Sequence, residues 1–321
     1  MLRKMKNNKY IKILGYLVGL LSFYYIYVSI SRSGLSWSKL NDSIQASDYW
    51  LLLISLVLYI IIMLIGGGIW SWLVHVFSPE SEQKIDKVVL VHAKSNLAKY
   101  LPGNFMHFVG RNVLGSNLGY KHSSLILATM FELMYSIFFG VVIVLLLNFL
   151  NLTQINFIGM LNVNIDGYLF EISIIVLVIM LLLLFKNKII SFVNNYELIK
   201  QIKKTFAKGF IIYTIAYMIL GFCNFFIFIA LTDTNVTYLD YFNILVVYLI
   251  SWLFGLIIPG LPGGLGVREA IYISILSPVY GLYTITLLAL MLRVINIIGD
   301  ILYFIISVSF IKNKKLENSS Q

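Results

Sequence analysis

Six apolar runs, at about 10–30, 49–76, 124–150, 168–186, 209–231 and 283–311, each approach or exceed the roughly 20 residues that carry a helix across a hydrocarbon core of about 30 Å. Lipid offers the backbone no hydrogen bonds, so each run must satisfy its own amides as an α-helix. Composition agrees: 60% of the 321 residues are hydrophobic, 12% are charged and the mean hydropathy is +0.89, whereas a soluble domain carries about 25% charge. No connection between runs is long enough for a separate soluble domain. The chain therefore reads as a single, all-α, polytopic membrane domain spanning 1–321. Cys223 is the only cysteine, which excludes an internal disulfide and assigns it to the core.

The net charge of +10 follows topology rather than nucleic acid. Arg3, Lys4, Lys6, Lys9 and Lys12 crowd the N-terminus, Lys186, Lys188, Lys200, Lys203, Lys204 and Lys208 fill one connection, and Lys312, Lys314 and Lys315 lie near the C-terminus. The connections near 151–167 and 232–240 hold no lysine or arginine. The positive-inside pattern then predicts a multi-pass protein of the cytoplasmic membrane with both termini and the 186–208 connection in the cytoplasm. The first run has a basic flank but no small-residue cleavage site, so it is expected to remain as a signal anchor. Tyr24, Tyr25, Tyr27, Trp37, Tyr49 and Trp50, near span ends, suit interfacial anchoring. Gly66-Gly67-Gly68 offers a smooth face for close helix packing.

Two regions are too broken to be ordinary spans. Residues 88–110 carry Pro102-Gly103, and residues 241–280 carry Pro259-Gly260 followed by Pro262-Gly263-Gly264-Leu265-Gly266-Val267-Arg268-Glu269. The flanking topology requires each to return to its own side, so each is expected to form a re-entrant hairpin, one from each face. They share a pattern: an arginine, Arg111 or Arg268, stands nine positions after the proline, and a spanning helix with a polar stripe follows. The stripes are Thr129, Glu132 and Ser136, and Arg293, Asn296 and Asp300, both at i, i+3, i+7, which aligns three side chains along one helix face. Opposed hairpins with a matching motif predict an inverted repeat around a midplane site.

Lys99-Tyr100-Leu101-Pro102-Gly103 with Arg111 and Gly119, and the second Pro-Gly motif with Arg268-Glu269 and Arg293, resemble the family built on the membrane region of lysylphosphatidylglycerol synthases, which includes the flippase half of the multiple peptide resistance factor. The resemblance implies movement of a phospholipid or aminoacyl phospholipid between leaflets. No acyltransferase-like domain is read after the last helix, so no lysyltransferase or other enzyme activity is expected.

For a phosphate crossing lipid, Arg111 and Arg268 supply planar forks, and helix ends at Pro102-Gly103 and at Pro259, Gly260, Gly263, Gly264 and Gly266 supply backbone N–H groups. Glu132, Glu269 and Asp300 can neutralise the arginines, pair a cationic head group or carry a proton. The competing reading makes Arg268–Glu269, Arg293–Asp300 and Arg111–Glu132 ion pairs that lock the bundle. His92, Ser95 and Lys99 share a helical face, with Lys94 and Asn96 beside it, and either line an access route for acidic head groups or snorkel to the surface. His75, His92, His107 and His122 lack metal-site spacing, and no Gly-Lys-Ser/Thr loop for nucleotide phosphates occurs, so neither metal nor other cofactor is expected. The expected partners are membrane lipids, an anionic phospholipid or a polyprenyl phosphate. Three functions fit: a phospholipid flippase, a carrier of polyprenyl phosphate or a polyprenyl-linked sugar, and a non-transporting partner of a synthase or glycan enzyme. Cysteines placed near Tyr100 and near Leu261 are expected to be labelled from opposite faces of the membrane; labelling of both from one face would remove the inverted repeat.

Overall fold

The computed structural model describes residues 24–34, 48–80, 85–100, 106–153, 196–232, 236–257 and 264–319. Most of the expected span at 10–30, all of that at 168–186, and Pro102, Gly103, Pro259, Gly260 and Gly263 lie outside these residues. Among the described residues there is no strand. After a helical stretch at 24–33 come α1 (Tyr49–Phe77), α2 (Ile85–Asn96), a 3₁₀ turn (Leu97–Tyr100), α3 (Met106–Ser116), α4 (His122–Phe149), α5 (Tyr196–Ala230), α6 (Tyr238–Ile257), α7 (Val267–Tyr280) and α8 (Leu282–Ser319).

Five described helices are long and apolar enough to cross a membrane. Four fall on the expected spans. The fifth, Tyr238–Leu256, is the first arm of the region expected to be re-entrant, and its length and composition suffice for a crossing. In α1 the most apolar stretch has a mean hydropathy of 2.7, yet only 22% of it is buried in the protein. Leu53, Ile54, Val57, Ile61 and Leu64 point outward. That outer surface suits lipid, which solvates apolar side chains and cannot solvate backbone amides.

Both broken regions fold into antiparallel helix pairs. In the first, Gly110 of α3 faces Ser95 of α2 so closely that a Cβ would lie 3.2 Å from the serine Cβ, and Arg111 meets His92. In the second, the open end is tied by Tyr280, which donates to Asp240 at 2.7 Å and accepts from Asn243 at 3.0 Å. Its closed end brings Gly255 of α6 against Arg268 of α7.

α1 is the hub, packing on α2, α4, α5 and α8. One apolar cluster joins Trp70 and Leu73 of α1 to Leu125, Phe131 and Phe139 of α4. A second joins Tyr59 of α1 to Ile227 of α5, Ile273 of α7 and Leu288 of α8. Hydrophobicity gives little drive for helix association in lipid, so close backbone approach matters more. The α1–α8 crossing achieves it by exchange of a tyrosine for a glycine in both directions. A Cβ at Gly67 of α1 would stand 2.2 Å from the Tyr303 hydroxyl oxygen of α8, and a Cβ at Gly299 of α8 would stand 2.3 Å from the Tyr59 ring of α1. The glycine triplet thus works through Gly67, whereas nothing approaches a Cβ at Gly68 within 4 Å.

Gly299→Ala is therefore expected to lower stability by about 1–3 kcal/mol through overpacking, with Gly68→Ala neutral or slightly stabilising. Thermal unfolding in detergent micelles checks the contrast; equal midpoints for the two variants would refute this account of the crossing.

Candidate functional site

Three charged groups built on different elements meet inside the bundle. The first stands on α2, α3 and α4. Arg111 is 5% exposed; its Nη1 donates to Glu132 Oε2 in an ion pair and its Nη2 donates to His92 Nε2 at 2.7 Å. A nitrogen that accepts from a guanidinium carries no proton, so the His92 proton sits on Nδ1, which donates to the Tyr303 hydroxyl at 3.0 Å. The guanidinium carbon lies 5.6 Å from the ring centres of both Trp70 and Phe108, close enough for cation–π attraction. Trp70 is itself anchored by donating to Thr129 at 3.0 Å.

The second group surrounds Asp300, which has no exposed surface. Its Oδ1 accepts from Tyr59 at 3.0 Å and from Asn96 Nδ2 at 2.8 Å, and its Oδ2 accepts from the Tyr100 hydroxyl. Lys99 Nζ lies 2.5 Å from the same Oδ2. Lys99 is thus drawn inward to a carboxylate rather than snorkelling, and His92, Ser95 and Asn96 on the same arm are buried. Lys94 alone of that set is exposed.

The third group forms at the start of α7. Gly264 and Gly266 adopt φ of +72° and +85°, a region where side chains are strained, and this turns the chain into the helix. Glu269, in the third position of α7, reaches back to accept from the Gly266 N–H at 2.8 Å, the half of a capping box that a glycine permits. Its other oxygen lies 3.6 Å from Arg293 Nη1. The carboxylate thereby occupies one of the N–H groups expected to serve a phosphate. Arg268 runs through a slot between two glycines: a Cβ at Gly255 would lie 2.5 Å from its Cγ, and one at Gly264 would lie 2.9 Å from its Nε.

These groups converge on a cavity of about 260 Å³ lined by Lys99, Arg111, Glu132, Arg268 and Arg293, with Tyr59, Tyr100 and Tyr248 among its walls. Glu269 lines an adjoining recess that shares Arg268 and Arg293, and Asp300 stands behind the wall, reached through its four donors. The two arginines that follow the Pro-Gly breaks thus face one space. Their pairings differ from those expected. Arg111–Glu132 is present, but Arg293 pairs with Glu269 and Asp300 with Lys99. Consecutive residues on a helix diverge, so Arg268 and Glu269 cannot face each other; Arg293 and Asp300 stand two turns apart, about 10 Å along the axis. Arg268 has no ion-pair partner among the described residues. His92, expected on an access route with Ser95 and Lys99, instead braces Arg111, and Tyr59 and Tyr303 were absent from the expected site; the only hint of them in the sequence is a hydroxyl in an apolar segment, which requires a partner.

Fold and site define a multi-pass membrane helix bundle with a charged internal cavity. Residues 12–303 match the family described as the lysylphosphatidylglycerol synthase TM region, and the chain belongs to that membrane, lipid-related family. Among curated proteins, no significant match to the chain is found.

Removing one member of a buried ion pair leaves the other unmatched. Asp300→Asn and Lys99→Met are each expected to destabilise the protein by about 3–5 kcal/mol, and the double variant by clearly less than their sum. Thermal unfolding of the four proteins measures this; strict additivity would deny the coupling.

Proposed function

We propose that the protein translocates a phosphate-bearing membrane lipid between leaflets, with the head group passing through the internal cavity. The observation that carries this reading is the convergence of Arg111 and Arg268, one from each Pro-Gly motif, on one space inside an apolar bundle. The volume of about 260 Å³ lies just below the range of small-molecule sites, about 300–1,000 Å³. It suits a head group and leaves acyl chains to the surrounding lipid. Guanidinium forks replace the water that a phosphate gives up on entering the bilayer. The reading is of a carrier without covalent chemistry, set in the cytoplasmic membrane with its basic flanks inside.

The test is leaflet exchange of fluorescent lipids in proteoliposomes, for the native chain and for Arg268→Ala. Exchange above protein-free vesicles, reduced about tenfold or more by the substitution, is expected, since loss of a buried charge-assisted contact costs about 2–5 kcal/mol. No exchange of any phospholipid or polyprenyl phosphate by folded protein would overturn the reading in favour of a non-transporting partner of a lipid or glycan enzyme.

A further inference from the structure

The charges around the cavity are unequal in how far they are satisfied. All three carboxylates are engaged: Glu132 by Arg111, Asp300 by Lys99, Tyr59, Asn96 and Tyr100, and Glu269 by the Gly266 N–H and Arg293. Among the described residues, the guanidinium atoms that lack a hydrogen-bond partner are Arg111 Nε, Arg268 Nε, and Arg293 Nε and Nη2, each enclosed with almost no accessible surface of its own. All are donors, and all belong to side chains that line the cavity. Arg111 is nine-tenths or more buried, so its remaining donor has little access to bulk water. With every group ionised, Lys99, Arg111, Arg268 and Arg293 outnumber Glu132, Glu269 and Asp300 by one among the described residues, and the unmatched charge is Arg268.

We infer that the cavity selects a head group of net negative charge, a phosphate mono- or diester without an ammonium group, and disfavours aminoacyl esters of the same lipid. This rests on the proposed reading of the cavity as a head-group site. An anion meets a wall that carries one unbalanced positive charge on guanidinium side chains. An aminoacyl ester brings ammonium groups into a site whose carboxylates are already paired, so each must displace an existing partner or face like charge. The glycine slot reinforces the selection, because Gly255 and Gly264 hold the Arg268 stem by contacts on two sides and limit its retreat from an incoming cation.

The experiment is native mass spectrometry of the detergent-solubilised full chain titrated with phosphatidylglycerol, its lysyl ester, phosphatidylcholine, polyprenyl phosphate and inorganic phosphate. The leaflet-exchange assay is run on the same lipids. Phosphatidylglycerol or polyprenyl phosphate is expected to bind about tenfold or more tightly than the lysyl ester and phosphatidylcholine, with Arg268→Ala removing the preference. Arg293→Gln, which releases Glu269, should move the preference toward the lysyl ester, and this decides the matter should Arg268→Ala fail to fold. Equal or tighter binding of the lysyl ester by the native chain would overturn the inference while leaving translocation standing. Anion-selective binding without leaflet exchange would support the inference and remove the translocation reading. Binding of inorganic phosphate with no lipid preference would keep the anion site but overturn its assignment to a lipid head group.

Discussion

A carboxylate with no exposed surface, inside a bundle whose outer face suits lipid, must find its whole solvation within the protein. Asp300 does so with four donors drawn from three places: Tyr59 on α1, Asn96 at the end of α2, and Lys99 and Tyr100 on the turn that follows. Those contacts dock the first hairpin onto the last helix. They also hold Lys99 and Tyr100 at the cavity wall, and Asn96 beside them. The seating of α2 and the turn after it on α8 thus combines direct helix packing with the pull of one charge, and the packing lets the donors reach it. Tyr59 serves both ends, since its ring fills the space left by Gly299 while its hydroxyl binds the residue that follows Gly299 in α8.

The same economy appears across the crossing. Tyr303 packs on Gly67 and accepts from His92, which accepts from Arg111, which binds Glu132. A continuous line of polar contacts therefore runs from α8 through the first hairpin to α4. Such a line is costly unless every member is satisfied, and within it Arg111 Nε has no partner among the described residues. The structural ion pairs and the candidate site are accordingly parts of one network. The pairs fix the arginines in place, and the same side chains line the space where a ligand is proposed.

Much of this was legible in the sequence because membrane chains are constrained so strongly by backbone solvation. Four apolar runs become long helices, and the two Pro-Gly regions become antiparallel helix pairs whose arginines face a common cavity. Of the three ion pairs expected, Arg111–Glu132 forms, between helices that are neighbours in the chain. The partners of Asp300 and Arg293 are not legible in the sequence, because spacing reports only which residues share a helix face, and these pairs join different elements. Tyr59 and Tyr303 escaped notice for a related reason. Aromatic residues in a membrane chain are ordinarily explained by interfaces and cores, and only the facing glycines on another helix reveal that a hydroxyl has been brought to a buried charge.

Glu269 shows how the second motif divides its labour. Two glycines with positive φ bring the chain sharply into α7, and the positive end thus created attracts an anion. The protein supplies that anion itself, with Glu269 satisfying the Gly266 N–H and neutralising Arg293. Arg268, one position earlier, is carried to a different face by the helical rotation and forms no ion pair there among the described residues. Adjacent opposite charges, which read on paper as a self-contained pair, are thereby separated into a structural acid and an unmatched base. The order of glycine, arginine and glutamate in this chain has a physical consequence in that separation: exchange of Arg268 and Glu269 would put the carboxylate in the cavity wall and the guanidinium at the positive end of α7, reversing the sign of the site and destabilising the turn that forms it.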